Sequence, residues 1–285
     1  MARSDWKRPA LTPLADGMKR IRLTIAYDGS LFNGWQCQTN GVGVQDVLNR
    51  HLGRIYGVEV SVQGSGRTDS GVHALGQVCH YDVPVDASSI GDDRVAKALN
   101  ASLPNSIRVL ASEGVDGSFH ARFTTMAREY WYFVKDRDGA LPFDFSHAGL
   151  YDRLPPLDLL QSYAGLLQGT HDFTTFACAR DASGSMVRDI YESYWSLQND
   201  MYMRPVYRYT VVGNAFLYHQ VRSMVGTMMC YALRGRSVEE FARILEAKDR
   251  SLAMTTAPAA GLYLSRVSYD SDEYMWFEED TDGKG

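Results

Sequence analysis

The sequence predicts an α+β fold built from two halves that each mix strands with helices. Three observations carry this. Short runs rich in Val, Ile and Tyr alternate apolar with polar residues, as over residues 20–27. Other segments repeat apolar residues at helical spacing, as at Val44, Val47, Leu48, Leu52 and Ile55. Finally, 285 residues with 45% hydrophobic content are enough to bury one large core or two smaller ones.

The first half opens with the strand over 20–27, followed by the helix that carries Val44 to Ile55. Strands over 58–62 and 78–83 flank a glycine-rich loop, a helix covers 92–100, and a strand runs over 107–110. In the second half a strand passes through Tyr130 and Phe133, and Pro155 and Pro156 precede a helix bearing Leu157, Leu160, Tyr163, Leu166 and Leu167. Strands over 187–197 and 207–212 lead into a helix over 217–233 that stops at Gly235. Ser237 with Glu240 forms a capping box for a helix bearing Phe241, Ile244 and Leu245, and a strand over 262–269 closes the fold. Strands and helices in this order suggest halves whose sheets join, with a cleft between them.

Charge is unevenly distributed. The net is −5, but residues 270–285 hold seven acids and one Lys, so residues 1–269 carry 28 basic and 27 acidic side chains. Of the 29 basic residues 23 are Arg, whose planar fork pairs with phosphate and stacks on bases; genome composition explains such a bias equally well. The expected organisation is a flexible tail over 1–18, an N-terminal half over 19–114, a C-terminal half over 115–270 and an acidic tail over 271–285. Cys37, Cys79, Cys178 and Cys230 are far apart and form no Cys-x-x-Cys pair, which fits a reducing, cytoplasmic location without zinc site or disulfide framework. Residues 1–17 lack the continuous apolar stretch of a secretory signal, and His219, Gln220 and Arg222 interrupt the apolar stretch over 211–233, so no membrane span is expected.

The segment that carries chemistry is Gly64-Ser-Gly-Arg67-Thr-Asp69-Ser-Gly71, a loop expected to use glycine for positive φ and for close approach of another molecule. A dinucleotide fingerprint needs Gly where Asp69 stands, and a P-loop needs Gly-Lys-Ser/Thr. Both are excluded. Asp-Ser-Gly is also the tripeptide of aspartic proteases, but no second copy exists in the chain to share the proton, so a protease would need it from another subunit. Read alone, the loop is equally a plain hairpin turn.

Further segments accompany it: Tyr27-Asp28-Gly29-Ser30-Leu31-Phe32-Asn33-Gly34-Trp35-Gln36, Leu99-Asn100-Ala101-Ser102-Leu103-Pro104, Phe119-His120-Ala121-Arg122-Phe123, Arg128-Glu129-Tyr130-Trp131-Tyr132, Gly169-Thr170-His171-Asp172-Phe173, Asn214-Ala215-Phe216-Leu217-Tyr218-His219-Gln220-Val221-Arg222 and Ala257-Pro258-Ala259-Ala260-Gly261-Leu262. With the Asp69 loop, and in this order between Lys19 and Asp270, they resemble the tRNA pseudouridine synthase A family. Gln220 stands where that family leads one to expect Met, and Met186 where it leads one to expect Thr.

The resemblance implies a pseudouridine synthase fold: two related, ferredoxin- or RRM-like halves, a mixed, mainly antiparallel sheet with helices on one side, and a central RNA-binding cleft. It implies a cofactor-free, metal-free isomerase that converts uridine to pseudouridine at positions 38, 39 and 40 of the tRNA anticodon stem-loop, working as a homodimer with each tRNA lying across both subunits. Alternatives are a synthase of the same fold acting on other RNA sites and a non-catalytic RNA-binding module.

By resemblance Asp69 is the catalytic nucleophile or base, Arg222 its ion-pair partner, Tyr130 the ring that stacks on the target base and a candidate acceptor of its C5 proton, Arg67 the residue that helps turn the nucleotide out of the stack, and Leu262 an apolar wall. Each has a plainer reading: a turn-former, a snorkelling surface Arg, a core ring, a solvated loop charge and a core leucine. Strand alternation sends two of Tyr130, Trp131 and Tyr132 to one face. His73, His80, His120, His171 and His219 show no metal-ligand spacing and are expected to pack, cap or contact RNA rather than catalyse.

Overall fold

Alternation along the first strand fixes which face of the sheet is buried. In β1 (Met18–Tyr27), Ile21, Leu23, Ile25 and Tyr27 are buried and alternate with more accessible neighbours. Helix α1 (Val44–Tyr56) buries Val44, Val47, Leu48, Leu52 and Tyr56 in the same core cluster, and Gly57 ends it in the left-handed region at φ 68°. Fully burying an aliphatic side chain of this kind stabilises by about 1.5–3 kcal/mol.

The computed structural model describes residues 11, 13–37, 41–87 and 89–270. The remaining elements of the first half are β2 (Gln63–Gly64), β3 (His73–Pro84), α2 (Val95–Asn100) and β4 (Ile107–Val115). The second half holds β5 (Ala127–Asp136), β6 (Gly149–Tyr151), α3 (Leu157–Gly165), β7 (Gly169–Asp172), β8 (Val187–Asn199), β9 (Pro205–Gly213), α4 (Gln220–Leu233), α5 (Val238–Ala247) and β10 (Leu262–Ser268). One mixed sheet joins them in the order β4-β1-β3-β10-β5-β9-β8-β7, with β2 on β3 and β6 on β5, and the helices lie on one side. Pairing is antiparallel except at β10 with β3 and β6 with β5. The strands of each half follow one order: β4-β1-β3-β2 in the first and β10-β5-β9-β8 in the second.

The seam between the halves is short. β10 pairs with β3 only at Tyr263↔His73 and Leu264↔Ala74, while on its other side it pairs with β5 along Leu262↔Tyr132 to Ser268↔Ala127. β2 occupies the same edge of β3 further along, at His80 and Cys79. The loop carrying Asp69 therefore emerges where the two strands of that edge diverge.

Several expected elements differ in extent. Residues 58–62 form no strand, and at Val62 side chains of α1 take the backbone groups: Asn49 Oδ1 accepts the Val62 N–H at 2.9 Å, and Gln45 Nε2 donates to the Val62 carbonyl at 2.7 Å. The expected helix over 92–100 begins as a turn of 3-10 helix, and α4 starts at Gln220 rather than Leu217 because His219 adopts φ 64°. β6 and β7 carry no clear period-2 signal at three and four residues. The Ser237 capping box forms as read: Ser237 Oγ accepts the Glu240 N–H at 3.2 Å, and Glu240 Oε2 accepts the Ser237 N–H at 2.7 Å. No described helix is long and apolar enough to cross a membrane. The expected acidic tail lies outside the described residues, as does most of the expected N-terminal tail.

Candidate active site

The loop between β2 and β3 is held from four sides. Thr68 receives the Trp35 N–H on its carbonyl at 3.0 Å and shares a 2.8 Å hydrogen bond with the Tyr27 hydroxyl. Gln77, fully buried, donates to the Gly66 carbonyl at 3.0 Å and accepts the Ser65 hydroxyl at 2.5 Å. From the second half, Arg128 donates to the carbonyls of Ser65 at 2.6 Å, Arg122 at 3.2 Å and Asn214 at 2.9 Å. Finally, the Val72 N–H closes a turn on the Asp69 carbonyl at 3.1 Å, with Gly71 at φ 79°.

Of the three glycines expected to need positive φ, only Gly71 does. Gly64 instead lies in β2, where a Cβ would stand 2.6 Å from the Trp35 indole, and Gly66 has ordinary space. A glycine outside the loop matters more. At Gly34, with φ 91°, a Cβ would come within 2.5 Å of the Thr68 carbonyl, so the backbone under Asp69 can approach only glycine.

Asp69 is thereby presented to the first turn of α4, 153 residues away in sequence, where Arg222 Nη1 donates to its Oδ2 at 2.9 Å. The same guanidinium donates through Nε to the Ala257 carbonyl at 2.9 Å, while the Arg222 carbonyl accepts the Ala257 N–H at 3.0 Å. Two bonds to one residue orient the fork before any ligand arrives. His219 brings Nε2 to 3.2 Å from the same Oδ2. The side chains of Arg222, Asp69 and His219 remain 15%, 22% and 26% exposed, so the carboxylate is reachable from one side.

Tyr130 lies on β5 beneath this group, buried to 8% exposure and edge-on to Phe216 with ring centroids 5.1 Å apart. It shares its face with the buried Tyr132, as alternation requires. Burial pushes its phenol up to about 12, with the Arg128 charge opposing and the Asp69 charge adding to the push. The ring is thus a neutral phenol at physiological pH. Arg67 is exposed at the loop tip and makes no side-chain hydrogen bond or ion pair among the described residues. Leu262 is packed into the core at the head of β10, opposite Tyr132.

Family comparison gives this geometry its context. The family model described as tRNA pseudouridine synthase matches residues 23–124 and 164–270. The tRNA pseudouridine synthase A of Exiguobacterium sibiricum is 42% identical over 255 residues, 88% of this chain and 97% of the relative. Those of Ligilactobacillus salivarius and Borreliella burgdorferi are 39% identical over 259 residues and 37% over 254, covering 90% and 89% of this chain and 98% and 100% of theirs. The chain belongs to the tRNA pseudouridine synthase A family. It is thereby an enzyme of an isomerase family.

Two residues of the site were not given a role by sequence reasoning. Arg128 opens the Arg128-Glu129-Tyr130-Trp131-Tyr132 segment, but nothing in its spacing signals that it ties the loop to the second half. His219, expected with the other histidines to pack, cap or contact RNA for want of metal-ligand spacing, instead approaches Asp69 from a left-handed backbone that periodicity cannot read. Of the others, His80 Nδ1 accepts the Ala121 N–H, His120 Nδ1 those of Arg122 and Phe123, and His171 bonds the Gln168 carbonyl.

His73 belongs to a group with Asp28 and His147 whose ligand-type atoms lie within 4.8 Å of one another. Its Nδ1 already accepts the Gly29 N–H at 3.1 Å, and its Nε2 pairs with the Ser146 carbonyl at 2.9 Å. Both ring nitrogens of this buried histidine are occupied, and the ring stacks on His147 and Tyr263. The His73 ring thus serves packing at the start of β3.

Proposed function

We propose that this enzyme isomerises uridine to pseudouridine in tRNA, at positions 38, 39 and 40 of the anticodon stem-loop, with Asp69 as the catalytic carboxylate. The observation that carries the reading is the 2.9 Å contact between Asp69 and Arg222, which joins two segments of family-like sequence from opposite halves at an accessible point. In this reading the two halves are copies of one ferredoxin-like unit, and the cleft between them, over 19–114 and 115–270, receives the RNA; their shared strand order supports it.

The reaction needs few groups. The uracil is turned out of the stack, its N1 to C1′ bond breaks, the base rotates, a C5 to C1′ bond forms and the C5 proton leaves. Asp69 acts at the sugar as nucleophile or base, with Arg222 donating to its Oδ2. Tyr130 holds the detached base by ring contact. Its neutral phenol makes it a poor acceptor of the C5 proton, because its own proton would first have to leave. Arg67, unpaired by any described residue at the loop tip, is suited to enter the RNA stack in place of the flipped nucleotide, and Leu262 lends an apolar wall. No cofactor or metal enters the scheme.

A homodimer in the cytoplasm completes the proposal. A single chain of net charge −5 has too weak a field to grip a polyanion, whereas two-fold pairing can align Arg-rich faces of both copies along one tRNA. Incubation with tRNA tritiated at uracil C5 tests the function directly. Tritium release confined to positions 38–40 is expected; release from other sites would redirect the reading to a different RNA target, and none at all would reduce the protein to an RNA-binding module.

A further inference from the structure

We propose that His219 is a positioning residue for Asp69: together with Arg222 it holds one carboxylate oxygen, Oδ2, so that the other, Oδ1, is presented to the reacting sugar. The inference rests on Asp69 being the reacting carboxylate. Its starting point is an asymmetry. Arg222 Nη1 at 2.9 Å and His219 Nε2 at 3.2 Å both converge on Oδ2, while no described residue hydrogen-bonds Oδ1. A carboxylate gripped at one oxygen from two directions loses its rotational freedom and keeps a free lone pair on the other.

The His219 Nε2 stands 3.2 Å from Oδ2, an electrostatic contact with the carboxylate rather than an aligned hydrogen bond. The groups around the imidazole are Asp69, Arg222, Arg250 and the Tyr218 ring, whose centroid lies 4.0 Å away. Burial, Arg222 and Arg250 push the imidazole down from its ordinary value against the pull of Asp69, so it is neutral at physiological pH. The oxygen is held there by one full charge and one dipole rather than two charges. A second full charge on Oδ2 would draw the electron density of the carboxylate away from Oδ1.

The backbone gives an independent reason to read this as a built feature. His219 has φ 64°, and the other non-glycine residues with positive φ among those described are Met203, 76% exposed in the β8–β9 turn, and Lys248, at the end of α5. Only His219 keeps this strained conformation at a functional site. The turn is locked by its neighbour: Gln220 Oε1 accepts the Leu217 N–H at 2.8 Å while its own N–H donates to the Leu217 carbonyl at 3.1 Å. Gln220, one of the two departures from the family pattern, is 1% exposed and thus serves to hold the histidine in place.

The test compares His219→Gln, His219→Gly and Asp69→Asn by single-turnover tritium release and by tRNA affinity. Glycine suits the left-handed backbone, so the Gly variant removes the imidazole without straining the turn. Its rate is expected to fall about tenfold or more with tRNA affinity unchanged, whereas Gln, whose amide places a polar group of similar reach beside Oδ2, returns to within about threefold of wild type. The wild-type rate is also expected to fall at pH values below the ordinary histidine range, as the imidazole gains its second proton, and the Gln variant, which cannot titrate, to show no such histidine-linked fall. A Gly variant at the wild-type rate, or a Gln variant as slow as Gly, overturns the inference while an inactive Asp69→Asn leaves the proposed function standing. An active Asp69→Asn overturns both.

Discussion

Two Arg–Asp pairs in this molecule join distant segments with the same residue types and opposite geometry. Arg20 grips Asp82 with two parallel bonds, Nε to Oδ1 and Nη2 to Oδ2, both 2.7 Å, and spends Nη1 on the carbonyls of Gly117 and Phe119. Every polar atom of that carboxylate has a partner, and the guanidinium is only 6% exposed. Arg222 touches Asp69 at one oxygen and turns its Nε to the backbone instead. A bidentate fork engages both oxygens of its carboxylate and serves the fold, even though the Asp82 side chain is 33% exposed; a single-point contact leaves an oxygen for chemistry.

The comparison is broken most sharply by removing the charge from each carboxylate. Asp69→Asn is expected to lower kcat by at least about a thousandfold with stability changed by less than about 1 kcal/mol, and Asp82→Asn to do the reverse, losing about 2 kcal/mol in urea unfolding with kcat within about threefold. Equal effects of the two substitutions on kcat would sink the distinction between them. At the open pair, Arg222→Ala is expected to cost about a hundredfold in kcat, and Arg222→Lys to recover part of it, because an ammonium restores the charge but cannot also hold the Ala257 carbonyl. A Lys variant with full activity would mean that orientation by Ala257 contributes nothing.

Arg128 separates the loop's position from its chemistry. Its three carbonyl partners belong to both halves, so Arg128→Met is expected to lower kcat about tenfold and stability by about 2 kcal/mol, leaving buried carbonyls unpartnered. Loss of stability alone, seen by comparing urea midpoints with turnover, would show that the loop keeps its place without the tie.

The smallest effect concerns His80, beside the closed pair. Burial, His120 and Arg20 push its imidazole down to about 4 against the pull of Asp82. The unfolded chain takes up a proton near pH 6.5 that the folded chain refuses, so this contribution to stability is complete above pH 6.5 and is lost as pH falls toward 4. The loss is expected to be on the order of 1 kcal/mol by pH 5 and to be flattened in His80→Asn, whose Oδ1 can still accept the Ala121 N–H. An unchanged slope between pH 7 and 5 would assign the proton uptake to other groups.

Much of this could be read before any coordinates. The apolar stripe of α1 and the capping box at Ser237 are local signals, and they formed where the pattern put them. The Asp69 loop stood out by its glycines, yet its link to Arg222 spans 153 residues and came from family resemblance rather than from spacing. Residues 58–62 have strand propensity, but Gln45 and Asn49 bond the Val62 backbone before another strand can. The strained turn at His219 was illegible for a different reason. Neither His nor its neighbours carries a sequence mark of positive φ, and the residue that enforces it, Gln220, reads as one more helix position.

The seam between the halves sets a timetable for synthesis. β10 follows every other described strand in sequence, yet it lies between β3 and β5, and Ala257, just before it, orients Arg222. A nascent chain that has left the ribosome only as far as residue 250 holds Asp69, Tyr130, His219 and Arg222 but lacks the strand that sets the first two in register and the residue that aims the last. Such a chain can fold each half around its own helices and still have no assembled centre. Under the proposed function, activity then waits on the final strand.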